Sequence, residues 1–304
     1  IKQRSGDEKV PKILCMVYTV DLPKARKNME AVVSTWAKEC DGFIAASNIT
    51  DDTIGAVNIL HPGPEIYNNM WLKVRSMWMY AYSHYLDDYD YFHICGDDVY
   101  LMMDNFRSYL MGEEMRKLLK EGYIDALMKT QLRRIPEIST TAQQQPRPLL
   151  LGHPRAFRGL FPYGGPGYTL NREAVKRLNE QLFNDPEDGI NSVQESREDV
   201  YMFYACRKLG WSIADSRDSE GAWRYMEHDA QHMFHYNVKP LEKLLGPGTH
   251  KDGINEVSKE TVAGHLKLDR AMKRRKYLPP PGIDSYDMLF RYHEILDGRC
   301  TGES

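Results

Sequence analysis

A chain of 304 residues that is 42% hydrophobic and 11% aromatic can bury a full core, and its length suits one large α/β domain, alone or with an appendage. A net charge of −3 gives no case for general nucleic-acid binding, and the basic run Lys273-Arg274-Arg275-Lys276 reads as a solvated helix face. No run approaches the ~18 apolar residues of a membrane-spanning helix.

Residues 1–10 are polar and charged and read as a lead-in. Ile1 is not an initiator methionine, so a natural start further upstream, with room for a signal or anchor, is expected. Residues 12–19 (KILCMVYT), bounded by Pro11 and Asp21, read as a buried first strand. Asp21 is placed to cap the next helix, with Pro23 in its first turn and Met29, Val32, Val33 and Trp36 at helical spacing. Residues 42–46 and 56–60 read as the second and third strands. Strand, helix, strand at this spacing predicts a Rossmann-like parallel sheet, whereas the lack of GxGxxG after the first strand disfavours a dinucleotide fold. A helix over 69–86 carries Trp71, Val74, Trp78, Ala81 and Tyr85 on one face. Lys73 lies off that stripe, in solvent and free to reach a phosphate.

The stretch YDYFHICGDDVY (89–100) has two halves with different physics. Tyr91 to Cys95 suits a strand buried on both faces, and Gly96-Asp97-Asp98 breaks it with adjacent carboxylates. Ligands of α/β sheets bind beyond the carboxyl ends of the strands, and carboxylates there can hold a hard divalent cation together with phosphate oxygens. By itself the Gly-Asp-Asp reads equally well as a polar turn. Asp104 or Asn105 can cap a helix with Phe106, Tyr109 and Leu110, and residues 132–148 read as an exposed loop. After a strand at 149–152 comes Phe161-Pro-Tyr-Gly-Gly-Pro-Gly-Tyr168, whose three glycines in four positions allow a close backbone approach or a plain turn. Asn171 starts a helix, and 196–209 form another that stops at Gly210, with Ser196 and Asp199 in a capping pattern. Residues 211–215 read as a late strand. His228, His232 and His235 punctuate an aromatic segment, and the charged stretch after Gly246 leads to a short amphipathic tail.

Cys15, Cys40, Cys95, Cys206 and Cys300 form no CxxC pair, which speaks against structural zinc and leaves one or two disulfides open in an oxidising compartment. The single sequon Asn48-Ile49-Thr50 leans the same way, toward the secretory route.

Several separated pieces, taken together, resemble one family: the inverting β-1,3-glycosyltransferases of GT-A fold, and within it the core 1 β-1,3-galactosyltransferase group. They are Ile13-Leu-Cys-Met-Val, Ser34-Thr-Trp-Ala-Lys-Glu-Cys40, Tyr85 to Phe92 leading into Gly96-Asp-Asp-Val-Tyr100, Gly164-Gly-Pro-Gly-Tyr168, Glu198-Asp-Val200, Asp215-Ser-Arg-Asp218 and Phe234-His-Tyr236. The similarity covers about residues 11–237, with the motifs in family order. It implies an α/β GT-A fold with a mainly parallel sheet flanked by helices. Residues 11–245 would form the catalytic domain after the lead-in 1–10, and 246–304 an appendage packed on it. It also implies transfer of a sugar, with galactose from UDP-galactose favoured, to a glycan or glycoprotein hydroxyl in a β-1,3 linkage.

By the same resemblance, Asp98 and His235 hold a divalent cation, usually Mn²⁺, and Asp199 is the catalytic base. Lys73, Asp97, Gly164 and Gly165 contact the UDP-sugar. Cys15 and Cys40 match a family disulfide, and a Golgi lumenal protein with a type II anchor is implied. Dimerisation is left open. Two alternatives stand beside this reading: a β-1,3-N-acetylglucosaminyltransferase of the same fold, and a non-catalytic sugar-binding or folding-partner homologue. Two departures bear on it. Gly96 stands where the family's first motif aspartate falls, and the stretch from Asp218 to Phe234 is shorter than in the core 1 group. The acceptor therefore does not carry over.

Overall fold

In the computed structural model, which describes residues 10–121, 147–156, 160–219, 221–226 and 260–265, the apolar run after Pro11 forms the strand β1 (Ile13–Tyr18). Its side chains alternate between two cores: Ile13, Cys15 and Val17 enter one, Leu14 and Met16 the other. A strand covered on both faces has no solvent side, which is why it reads as an unbroken apolar run. α1 (Pro23–Ser34) covers the first face with Met29, Ala31 and Val32, followed by a 3-10 turn at Trp36–Glu39. Its proline starts the helix as expected, but Leu22 rather than Asp21 occupies the cap position and no side chain caps it. A disulfide joins Cys15 to Cys40 and ties the end of that turn to β1.

β2 (Gly42–Ser47) runs parallel beside β1, and β3 (Ala56–Asn58), ending two residues short of expectation, runs parallel beside β2. α2 (Met70–Tyr85) crosses the second face. It is buried on nearly every side from Trp71 to Trp78, not along a single stripe. A second layer explains this: the Phe183 and Tyr201 rings pack on Trp71, and the Trp71 indole donates to the Ile190 carbonyl (2.7 Å).

β4 (Tyr91–Gly96) pairs in parallel with the other side of β1 and repeats its alternation, Tyr91 and Cys95 in the first core, Phe92 and Ile94 in the second. β5 (Val99–Leu101) leads into α3 (Met103–Met111) and α4 (Glu113–Glu121). Met102 holds the cap position of α3; Asn105, expected there, instead donates from its amide to the Thr261 carbonyl (2.8 Å). β6 (Leu150–Gly152) is an edge strand, and β7 (Pro154–Ala156) pairs antiparallel with β8 (Leu160–Pro162). β9 (Tyr168–Asn171) lies between β4 and β6 and runs antiparallel to both. The six-stranded sheet therefore has the order β3-β2-β1-β4-β9-β6, parallel except for β9.

Asn171 caps α5 (Arg172–Leu178) by accepting the Ala174 N–H (3.0 Å), and a π-helical turn at Asn179–Phe183 follows. α6 (Glu198–Lys208) ends before Gly210, whose φ of +83° is the left-handed stop expected there. Residues 211–215 form no strand; Ile213 makes an isolated bridge to Leu150. A second, three-stranded sheet has the order β10 (Tyr225–Met226), β11 (Ala263–His265), β5. β11 comes from the region expected as a C-terminal appendage and lies in the middle of this sheet. The result is an α/β molecule whose mainly parallel central sheet is flanked by helices.

Candidate active site

β1 and β4 end side by side, Tyr18 paired with Gly96, and the crevice beyond such ends is where α/β sheets bind ligands. A Cβ on Gly96 would stand 2.9 Å from Asp98 Oδ1 and 3.3 Å from Tyr18 Cε2. The missing side chain thus lets the Asp98 carboxylate and the Tyr18 ring close over the end of β4. Directly after Asp98 the chain enters β5, whose antiparallel register with β11 sets His265 opposite Val99. That pairing brings His265 Nε2 to 3.6 Å from Asp98 Oδ2. The separation is long for a hydrogen bond but suits two ligands that share one ion. Among the described residues no group of three or more His, Cys, Asp and Glu could hold a metal. A hard cation with one or two protein ligands completes its shell from phosphates, so the donor set fits an ion bound jointly with a diphosphate. His265 was not singled out by sequence reasoning. His235 lies outside the described residues.

Asp97 and Lys73, both expected at the donor, turn inward. Asp97 accepts from the Thr19 hydroxyl (2.8 Å) and the Asn28 amide (3.1 Å), and burial together with the Asp98 charge raises its pKa to about 6. Lys73 is buried, not solvated. Its ammonium donates to the Thr19 carbonyl (2.5 Å) and to Glu65 Oε1 (2.6 Å), while Glu65 Oε2 meets His61 Nε2 at 2.9 Å. Burial lowers the Lys73 pKa against the opposing pull of Glu65. Both residues therefore act on the end of β1 through Thr19.

The glycine-rich segment faces these groups from β9, whose first residue pairs with Ile94 near the end of β4. Gly167 N donates to the Gly164 carbonyl (3.0 Å), closing a turn in which Gly167 has φ +77°. A Cβ on Gly165 would stand 2.8 Å from His265 Nδ1, and one on Gly164 would stand 2.4 Å from Glu198 Oε1 and 3.3 Å from Asp199 Oδ2. The two glycines thus span from His265 to the start of α6. Asp199 does not form the expected capping pattern with Ser196: Arg197 holds the cap position without a side-chain bond. Instead Asp199 Oδ2 accepts the Gly164 N–H (2.9 Å) and Oδ1 the Val200 N–H (2.8 Å). Burial raises its pKa, opposed by those two N–H groups and by the charge of Arg155. Arg155 stacks on the Tyr163 ring at 3.9 Å, and Tyr163 meets His265 edge-on. Tyr18 ties the two halves together. Burial raises the pKa of its phenol, and the nearby acidic groups, Glu198, Asp98 and Asp199 among them, add to the effect.

The Asp215-Ser-Arg-Asp218 motif lies beside this space as a brace. Arg217 makes a bidentate contact with Asp215 and lies over the Trp223 ring (5.4 Å), and the Ser216 hydroxyl donates to the Gly152 carbonyl (2.7 Å).

No family model matches the chain. It is similar to glycoprotein-N-acetylgalactosamine 3-beta-galactosyltransferase 1 of Xenopus laevis, 25% identical over 219 residues that take in 69% of this chain and 48% of that protein. It is also similar to chondroitin sulfate synthase 3 of Homo sapiens, 25% identical over 183 residues, 60% of this chain and 17% of that protein. The chain thus spans about half the length of the first relative and less of the second. Among solved structures, a glycosyltransferase involved in the glycosylation of the major capsid of PBCV-1 overlaps with a TM-score of 0.39 and 14% identity, covering 94% of this chain and 100% of that one. So loose an overlap carries no argument. The two sequence similarities support the resemblance to glycosyltransferases carried by the motifs.

Proposed function

We propose that this chain is an inverting glycosyltransferase that moves a sugar from a nucleotide diphosphate to an acceptor hydroxyl. The observation that carries this reading is the convergence of two units on the ends of β1 and β4: the Asp98–His265 pair and the Asp199 carboxylate set by Gly164. Asp199 takes the proton of the attacking hydroxyl, with its second oxygen fixed by Val200. Asp98 and His265 would hold the divalent cation, Mn²⁺ by family resemblance, with His265 in the role expected of His235. When bound, that ion neutralises charge on the leaving diphosphate. Gly164 and Gly165, beside the donor sugar by family resemblance, lack side chains and so let Glu198, Asp199 and His265 close on their turn, while Asp97 and Lys73 shape the end of β1 instead of touching phosphate. UDP-galactose as donor and a β-1,3 linkage are the favoured details, carried by the motif resemblance. The Cys15–Cys40 bridge accords with a secretory compartment such as the Golgi lumen. Among the described residues no helix is long and apolar enough to cross a membrane.

The test is UDP release from a panel of UDP-sugars with Mn²⁺, with and without simple glycoside acceptors. Wild type is expected to show acceptor-dependent release. D199N should lower it by about 10²–10⁴-fold, and D98N should lose the Mn²⁺-stimulated release. The inward turn of both Lys73 and Asp97 favours the second reading, a non-catalytic sugar-binding homologue. UDP binding without turnover across the acceptor panel would establish that reading and overturn the first.

A further inference from the structure

Glu198 is the neighbour of Asp199 in sequence, yet the mechanism above gives it no task. It is 5% exposed at the first residue of α6. Its Oε2 accepts the hydroxyl of Tyr168 at 2.8 Å. Tyr168 is itself fully buried, stacked on Trp78 and held by the β9 register against Ile94. The other oxygen, Oε1, lies where a Cβ on Gly164 would come within 2.4 Å. Gly164 is thus seated against Glu198 while its N–H donates to Asp199 Oδ2. Sheet, tyrosine, glutamate, glycine and aspartate form one continuous line of contact.

We propose that Glu198 is a positioning residue for Asp199, acting as a carboxylic acid whose side chain seats the Gly164 turn so that the Gly164 N–H fixes the Asp199 carboxylate. This rests on the reading of Asp199 as the base. The groups that face Glu198 are the phenols of Tyr168 on β9 and Tyr18 on β1 and, from its own helix, the carboxylate of Asp199. Burial and the Asp199 charge both push the Glu198 pKa well up, with the Tyr168 hydroxyl opposing. Two adjacent carboxyls with such different surroundings divide the labour: one keeps its proton and holds geometry, the other ionises and works.

The experiment compares E198Q and E198A in the full chain by steady-state kinetics, by hydrogen exchange at the Gly164 amide and by the infrared band of a protonated carboxyl at neutral pH. Glutamine keeps the size and neutrality of the acid, so E198Q should rescue what E198A loses. We expect kcat within about threefold of wild type for E198Q and at least tenfold lower for E198A, with the donor KM little changed in either. Gly164 exchange should speed up in E198A but not in E198Q, and the carboxyl band should be present in wild type and absent from E198Q. Loss of activity in E198Q as deep as in D199N would overturn the proposal. So would unchanged Gly164 exchange in E198A, or the lack of a protonated-carboxyl band that E198Q removes. If wild type transfers no sugar, the base reading fails by itself, while exchange and infrared still decide whether Glu198 seats Gly164 as an acid.

Discussion

Asp199 and Arg155 show how one charge tunes another across the site. Asp199 is raised by burial and restrained by Arg155, with two backbone N–H groups also favouring its ionised form. A base must be ionised to accept a proton, so the rate should fall as pH drops through that raised pKa, above the ~3.9 of a free aspartate. Removing the positive charge makes ionisation harder, so R155Q should move the acid limb of kcat/KM to higher pH while R155K leaves it nearer wild type; pH–rate profiles of the three proteins check this. Asp98, Asp199, Gly164 and Gly165 stand in short local motifs, and the fold brings those motifs together at the ends of β1 and β4. Lys73 was misread for a local reason too: helical spacing shows which stripe faces the sheet, not what else packs on the helix. Gly96 also makes sense at this scale, because any side chain there would press on Asp98.

At the scale of the element, the reversal of β9 brings the glycine turn to the ends of the parallel strands. A strand parallel to β4 would start at the far end of the sheet and leave no such turn beside Gly96. Gly167 makes the reversal possible. It has φ +77°, and a Cβ there would stand 2.2 Å from the Ile94 carbonyl and 2.7 Å from Cys95 Cβ. G167A combines about 1–2 kcal/mol for the left-handed backbone with about 1–3 kcal/mol for overpacking. A loss near 2–5 kcal/mol, read by urea unfolding, is expected, against little change for G189A, where a Cβ meets nothing within 4 Å. Helix starts were read less well than strands. Asp21 and Asp104 have capping chemistry, yet Leu22 and Met102 occupy the caps. Asn171 does cap, because β9 delivers it to α5 already extended, with φ −81° and ψ 168°.

Across the whole molecule, two hydrophobic cores clamp one sheet, and the alternating side chains of β1 and β4 belong to both. The Cys15–Cys40 bridge closes a loop of 25 residues from the central strand round α1. Removing that closure restores entropy to the unfolded chain, worth about 3.5 kcal/mol by the loop-length relation. The double variant C15S/C40S should therefore unfold earlier in denaturant by that amount, and the reductant sensitivity of wild type should vanish in it. Buried Cys95 and Cys206, each a free thiol, should leave no such signature.

Local pattern determined much of this protein. The unbroken apolar runs at β1 and β4, the helical periods of α1 and α2, the acidic step after β4 and the glycine turn are all short-range signals, and they led to an α/β sheet with carboxylates beyond the ends of its parallel strands. Tertiary structure alone decided the rest. His265 reaches Asp98 through a strand register between segments more than 160 residues apart, which no spacing encodes. Lys73 is buried because a second layer covers α2, and Asp97 turns inward because Thr19 and Asn28 meet it there. Chemistry carried by neighbours in the chain can be read from the chain; chemistry assembled by contacts between distant segments appears once the sheet has set their register.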